Sequence, residues 1–150
     1  MFTEPLGKWR HVSALSRRTK GDYAKMMKQI AEEYYPDCKK IILIYLNIHN
    51  KAAFYEAFPP ATAYWLSRKF EMHYTPKHGS WLNIAETELS SLSIQCLGKR
   101  RIHSLEELNF TINQWAENRN KKQIGVNWHF TAEDARIKLK RLYPKPLFAE

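Results

Sequence analysis

The sequence predicts an α/β protein, with helices on both faces of a mixed sheet. Three observations carry this. Short β-prone runs alternate with helically spaced ones in the order strand, helix, buried strand, helices, strand, helix. Ile41-Ile42-Leu43-Ile44-Tyr45-Leu46, the most apolar run, is short and β-branched, as a strand buried on both faces would be. Phe70 to Tyr74 reads as a further strand, and beyond a polar turn Leu82, Ala85, Leu89, Leu92 and Cys96 recur as one helical stripe.

Taken in order, Trp9 to Leu15 alternates well enough for an edge-like strand. Thr19 to Asp22 can start a helix, whose apolar spacing runs from Tyr23 through Met26, Met27, Ile30, Ala31 and Tyr34 to the stop at Pro36. After the apolar strand, Ala52 to Ala57 reads as a short helix ended by Pro59-Pro60. Ala61 to Lys69 reads as a second, packing Tyr64 and Trp65. Ser104-Leu105-Glu106-Glu107 is a capping box, followed by a core-facing stripe of Leu105, Leu108, Ile112 and Trp115. Val126 to Phe130 is short and aromatic. Thr131 can cap a last helix with Ala135, Leu139 and Leu142 inward, although the alternation in Ile137-Lys138-Leu139-Lys140 leaves a strand open there.

Composition bounds the function. At 150 residues, with 44% hydrophobic and 13% aromatic content, the chain is long enough for one folded domain with a real core. No apolar run approaches a membrane span and the polar N-terminus lacks a signal-peptide core, so a cytoplasmic protein is expected. Cys38 and Cys96 are then expected to be reduced and buried. A zinc site from His73, His78 and Cys96 matches no usual finger spacing. The net charge of +9 is the strongest signal, with basic clusters such as Lys99-Arg100-Arg101 and Arg136 to Arg141. A basic balance of this kind favours polyanions such as DNA, because neutralised phosphates release counterions. A merely solvated basic surface is the bland alternative.

The stretch from His73 to Glu86 joins strand to helix through a turn containing Pro76 and Gly79, a way to hold a reactive group rigidly at a sheet edge. Glu86 and Glu88 border the helical stripe on opposite sides, and helical geometry alone does not choose between them.

That stretch, His73-Tyr74-Thr75-Pro76-Lys77-His78-Gly79-Ser80-Trp81-Leu82-Asn83-Ile84-Ala85-Glu86, resembles the third catalytic block of bacterial insertion-sequence transposases of the mariner-like DDE superfamily. The likeness runs from Glu4-Pro5-Leu6 to Pro144, almost the whole chain. The resemblance implies a ribonuclease H-like mixed sheet and Mg²⁺-dependent DNA cleavage and strand transfer in DNA transposition. It also implies one partial catalytic domain over residues 1–150, with a helical C-terminal part from about residue 103. In such a site, carboxylates hold two Mg²⁺ ions, one activating the attacking oxygen and one stabilising the leaving oxygen.

On this likeness Glu86 falls at the position of the catalytic, metal-binding glutamate. The family's second acid belongs in an Asp-Asn-Leu-Asn-Thr-His run. Here the row reads Ile44-Tyr45-Leu46-Asn47-Ile48-His49, which puts Ile44 at the acid's position or reflects a small deletion. The first acid belongs to an earlier strand with no counterpart here. The only aspartates are Asp22, Asp37 and Asp134, read as a helix start, a turn and a first-turn charge. Two of the three acids are thus expected to be missing, which leaves enzymatic activity open and Mg²⁺ binding in doubt. Asn47 and His49 keep motif positions that could orient a phosphate or a water; Asn83 could support the site or cap a helix. Lys77, His78, Arg100, Arg101, Lys138, Lys140 and Arg141 are the expected DNA contacts.

Two functions follow. One is the truncated C-terminal portion of a transposase, inactive alone, with Trp9 to Leu15 as its edge strand and the neighbouring strands supplied from elsewhere. The other is a non-catalytic DNA-binding or transposase-assembly module. The expected partners are DNA and an intact transposase or the missing N-terminal half; no membrane is expected.

Overall fold

The computed structural model describes residues 1–45, 50–75, 84–127, 129–138 and 140. Two strands open the chain, β1 (Phe2–Glu4) and β2 (Trp9–His11), paired antiparallel with Thr3 opposite Arg10. Between them Lys8 turns the chain at φ 53°. The expected strand from Trp9 to Leu15 is therefore shorter than its alternation suggests, and β1 was not anticipated. Residues beyond His11 run along α5 (Leu105–Lys121) instead of along a strand, and Asn109 and Asn120 of that helix take the place of a neighbouring strand.

Helix α1 (Lys20–Gln29) begins where its cap predicts: Thr19 accepts from the Asp22 amide and Asp22 accepts from the Thr19 amide. It continues into one π-helical turn, Ile30–Tyr34, closed by the Tyr35 amide on the Ile30 carbonyl at 3.1 Å. Strand β3 (Ile41–Tyr45), helices α2 (Ala52–Ala57) and α3 (Pro60–Lys69) and strand β4 (Phe70–Tyr74) follow, and β3 pairs parallel with β4, Ile41 beside Phe70. The short helices end and begin at Pro59-Pro60 because proline fixes φ for a first helical residue but cannot continue the preceding helix. Residues Phe54, Met27, Leu66 and Phe70 form the main core between α1, α2, α3 and this sheet.

Two expectations about this half are corrected. β3 is buried on one face only: Ile41 and Leu43 pack on the core, while Ile42 and Ile44 are 64% and 61% exposed. Among the described residues this sheet has two strands with helices on one face, which leaves the alternate side chains exposed. On α3, Tyr64 and Trp65 lie outward; Ala63, Leu66 and Lys69 turn inward. Lys69 is tolerated inside because its ammonium donates to the Ala31 and Pro36 carbonyls, at 2.9 and 3.0 Å, at the end of the first helix.

Helix α4 (Ile84–Ser91) runs into a second π-helical turn, Leu92–Leu97. Helix α5 starts at its Ser104 cap, and α6 (Ala132–Lys138) at a Thr131–Asp134 capping box. At Ser104 the expected box is altered: Ser104 accepts from the Glu107 amide, but Glu107 reaches the His103 amide instead of that of Ser104. A smaller core of Val12, Leu92, Cys96, Ile112 and Ala116 joins this half to the first strands. Ala132–Lys138 is helical, no described residue of α6 is buried and Ala135 is half-buried; Leu139 and Leu142, also expected inward, lie outside the described residues. Cys96 is buried as expected, but Cys38 is exposed.

Candidate functional site

Glu86 sits in the first turn of α4, half-buried, and has no ion-pair partner among the described residues. Glu88, on the other border of the expected stripe, is a different group altogether. It is fully buried between two guanidiniums, with Arg10 Nε 3.0 Å from Oε2 and Arg119 Nη2 3.2 Å from Oε1. Arg10 also donates to Oε1, to the Ile124 carbonyl and to Asn120. Arg119 donates to Gln95 and stacks over the Trp115 ring at 5.0 Å.

This cluster explains a failure of the stripe. Leu89 was expected inward but is exposed, because the charge pull of Arg10 and Arg119 rotates Glu88 inward in its place. A lone buried carboxylate would be costly, and two hydrogen-bonded cations make it tolerable. Glu88 is thereby a structural anchor that fixes α4 against β2 and α5. Glu86, half-buried, has no such ion pair among the described residues.

The sheet and α4 meet at an apolar groove of about 760 Å³. Ile44 lines it, and so do Ile84 and Ala85, the two residues before Glu86. The end of β3 and the start of α4, distant in sequence, thus border one place. The carboxylates lining the groove are already engaged: Glu4 accepts from the Tyr35 hydroxyl at 2.8 Å, and Asp22 caps α1. The Tyr35 phenol is pushed well above its usual range, first by burial and then by its bond to Glu4.

Mg²⁺ coordination needs several hard anionic oxygens at one point. Among the described residues no three His, Cys, Asp or Glu side chains come together to hold a metal. Ile44 offers no oxygen, so the described donors do not fit a two-metal site, and Glu86 follows directly on the two α4 residues that line the groove. His73 of the imagined zinc set bonds Glu71 at 2.9 Å on an exposed strand end.

Of the expected DNA contacts, Arg100 and Arg101 are exposed in the segment before α5, and Lys138 and Lys140 are exposed at and beyond the end of α6. Lys138 lies 5.4 Å over the Phe130 ring. Arg100 and Lys121 flank a hollow of about 570 Å³ walled by Phe110 and Trp115, cations beside rings as single-stranded nucleic acid favours. Asn47, His49, Lys77, His78, Asn83 and Arg141 lie outside the described residues. Sequence reasoning missed Arg10, Arg119 and Asn120, whose roles depend on partners far away in the chain.

Residues 1–109 match the family described as DDE superfamily endonuclease. No curated protein and no solved structure matches the chain. No helix among the described residues is long and apolar enough to cross a membrane.

Proposed function

The chain belongs to the DDE superfamily endonucleases, enzymes that act on DNA with divalent metal, and from that premise we propose that it is the C-terminal portion of a mariner-like insertion-sequence transposase, inactive alone. The observation that carries the reading is that Ile44 lines the same groove as Ile84 and Ala85, the two residues before Glu86, while Ile44 itself carries no carboxylate. Glu86 would be the surviving metal ligand, and the remaining acids would come from an intact transposase or a separate N-terminal half. When bound, Mg²⁺ would supply Lewis-acid activation of the attacking and leaving oxygens. The chain's own part is to hold Glu86 rigidly, through the Glu88 anchor, and to lie along DNA through Arg100, Arg101, Lys77, His78 and the Lys138 to Arg141 segment. Such a protein would work in the cytoplasm.

Isoleucine at position 44 supports a second reading, a non-catalytic DNA-binding or transposase-assembly module. Two assays test what the readings share, no cleavage by the chain alone and binding to DNA. Plasmid nicking in Mg²⁺ or Mn²⁺ is measured for the chain and for Glu86→Gln, and duplex binding is titrated against salt. No nicking together with binding that weakens steeply with salt is the expected result. An Arg100→Ala/Arg101→Ala variant should lower the slope of log K against log salt by about 0.9 per lost phosphate contact. Nicking that disappears in Glu86→Gln would show an active nuclease and overturn both readings. Absence of any DNA binding would remove both readings.

A further inference from the structure

The outer face of α5 carries a ring, two amides and a cation in one line. Phe110, Gln114, Asn118 and Lys121 follow each other at helical steps, which places them in one stripe, and all of them are exposed. Ile112 and Ala116, on the opposite stripe, are buried in the smaller core. Phe110 belongs to neither core and is 69% exposed, and no ring of the described residues stacks on it. Its π-face is open to a ligand.

The π-helical turn Leu92–Leu97 supplies the facing wall of the hollow. Cys96 donates toward the Thr111 carbonyl at 3.6 Å, which ties the turn to α5, and Gln95 beside it lines the hollow. Gln95 Oε1 accepts from Arg119 at 3.1 Å, so the Glu88 anchor orients this amide as well. Its nitrogen is left to donate, with no acceptor among the described residues. Gly98 then turns the chain at φ 51°, and the Arg100 amide bonds the Leu97 carbonyl at 2.9 Å, which brings Arg100 to the same hollow. Single π-helical turns recur at ligand sites.

Amides, an open ring and two cations are together the complement of a nucleotide. The hollow of about 570 Å³ falls within the roughly 300–1,000 Å³ of ligand sites. Gln95, Gln114 and Asn118 each carry a donor and an acceptor in one plane, as a base edge requires. Arg100 and Lys121 have no ion pair among the described residues and outnumber Glu117, the one carboxylate described there. Phe110 and Lys121 lie about 16 Å apart along the helix axis, so ring and cation serve different nucleotides of one strand. Inside a duplex both faces of each base are already stacked. Only an unpaired base offers Phe110 a face.

We propose that this hollow binds single-stranded nucleic acid, with one unpaired base stacked on Phe110 among the amides and neighbouring phosphates held by Arg100 and Lys121. It shares no lining residue with the groove before Glu86, so it is a second site and not an extension of the first. The inference rests on the reading above only in taking nucleic acid as the partner. Deoxyribose and ribose strands offer the same bases, and the test separates them.

The test uses the full chain and fluorescein-labelled strands of about ten nucleotides, within the size range of single-strand sites. The probes are a deoxyuridine strand, its duplex with deoxyadenosine, a ribouridine strand, and an abasic strand of equal charge. Anisotropy titrations should show the deoxyuridine or the ribouridine strand binding at least about fivefold tighter than the abasic one, as stacking of one base provides. Phe110→Ala should remove that difference and Phe110→Tyr should keep it, with duplex binding the same in all three chains. Phe110 is exposed, so both variants should unfold at the parent's urea concentration. The two uridine strands differ only in the 2′-hydroxyl, so the tighter one identifies the sugar, and either supports the site. Equal binding of base-bearing and abasic strands by the parent chain overturns the proposal, and so does an undiminished difference in Phe110→Ala. A chain that holds single strands through Phe110 but ignores duplex loses only the functional readings. One that binds duplex without preferring bases to abasic sites loses only this site.

Discussion

Glu86 and Glu88 stand two positions apart on α4, yet only Glu88 is sealed, its side chain 1% exposed between Arg10 and Arg119. The anchor and the available carboxylate are thus separated by less than one helical turn, and the stability of one can be altered without touching the other.

Removing the anchor should be severe. Glu88→Ala leaves two guanidiniums facing each other inside the protein, and breaking a buried pair in this way costs about 3–5 kcal/mol. Urea unfolding is the measurement. Glu86→Gln, by contrast, should change stability by no more than about 0.5 kcal/mol, as for a substitution without a buried partner.

Asn109→Ala takes away the amide that serves both backbone groups of Ala14. Part-buried groups left unpaired cost about 1–3 kcal/mol. The same variant should also aggregate faster on warming, followed by light scattering, because an edge has been uncovered.

Acid should weaken the fold in two separate steps. His11 is held below its ordinary value, first by burial and then by the chain's amino terminus, with Glu33 acting in the opposite direction. The unfolded chain therefore takes up a proton at about pH 6.5 while the folded chain still resists it. Stability falls as pH drops from there to the lower folded value, then levels; His11→Gln should abolish that step in a pH series of unfolding curves. The second step belongs to Asp22 and Asp134, whose bonds to Thr19 and Thr131 hold them below the usual carboxylate range. Their contribution is present above the unfolded value, near pH 4, and is lost as pH falls through the folded one.

The two thiols should differ sharply toward a disulfide reagent. Cys38 is exposed, so one thiol reacts at once in the native protein. Cys96 is buried, donates toward the Thr111 carbonyl and has its thiol pushed up by burial, so it should react only after unfolding.

Local chemistry was readable from the chain. Thr19, Ser104 and Thr131 act as caps because the partner of each is three residues away, and Pro59-Pro60 separates two helices by its own geometry. Phe70 to Tyr74 is a strand as its composition suggests. What was not readable depends on distant partners. Glu88 lies 78 residues from Arg10 and 31 from Arg119, so a period of apolar residues placed Leu89 inside instead. The apolar run of β3 shows what a strand could bury, not how many strands stand beside it. β1 escaped notice because three residues before a turn are too few for a pattern. Of the candidate site, the placement of Glu86 rested on a motif; its openness follows only from where the arginines are.

The paired asparagine amides on the far side of β2 have a further consequence. They act as a stopper on that flank, so this face of the layer cannot lengthen by recruiting chain after chain. Edge-to-edge association is thereby blocked on the β2 side and cannot propagate into a filament from there.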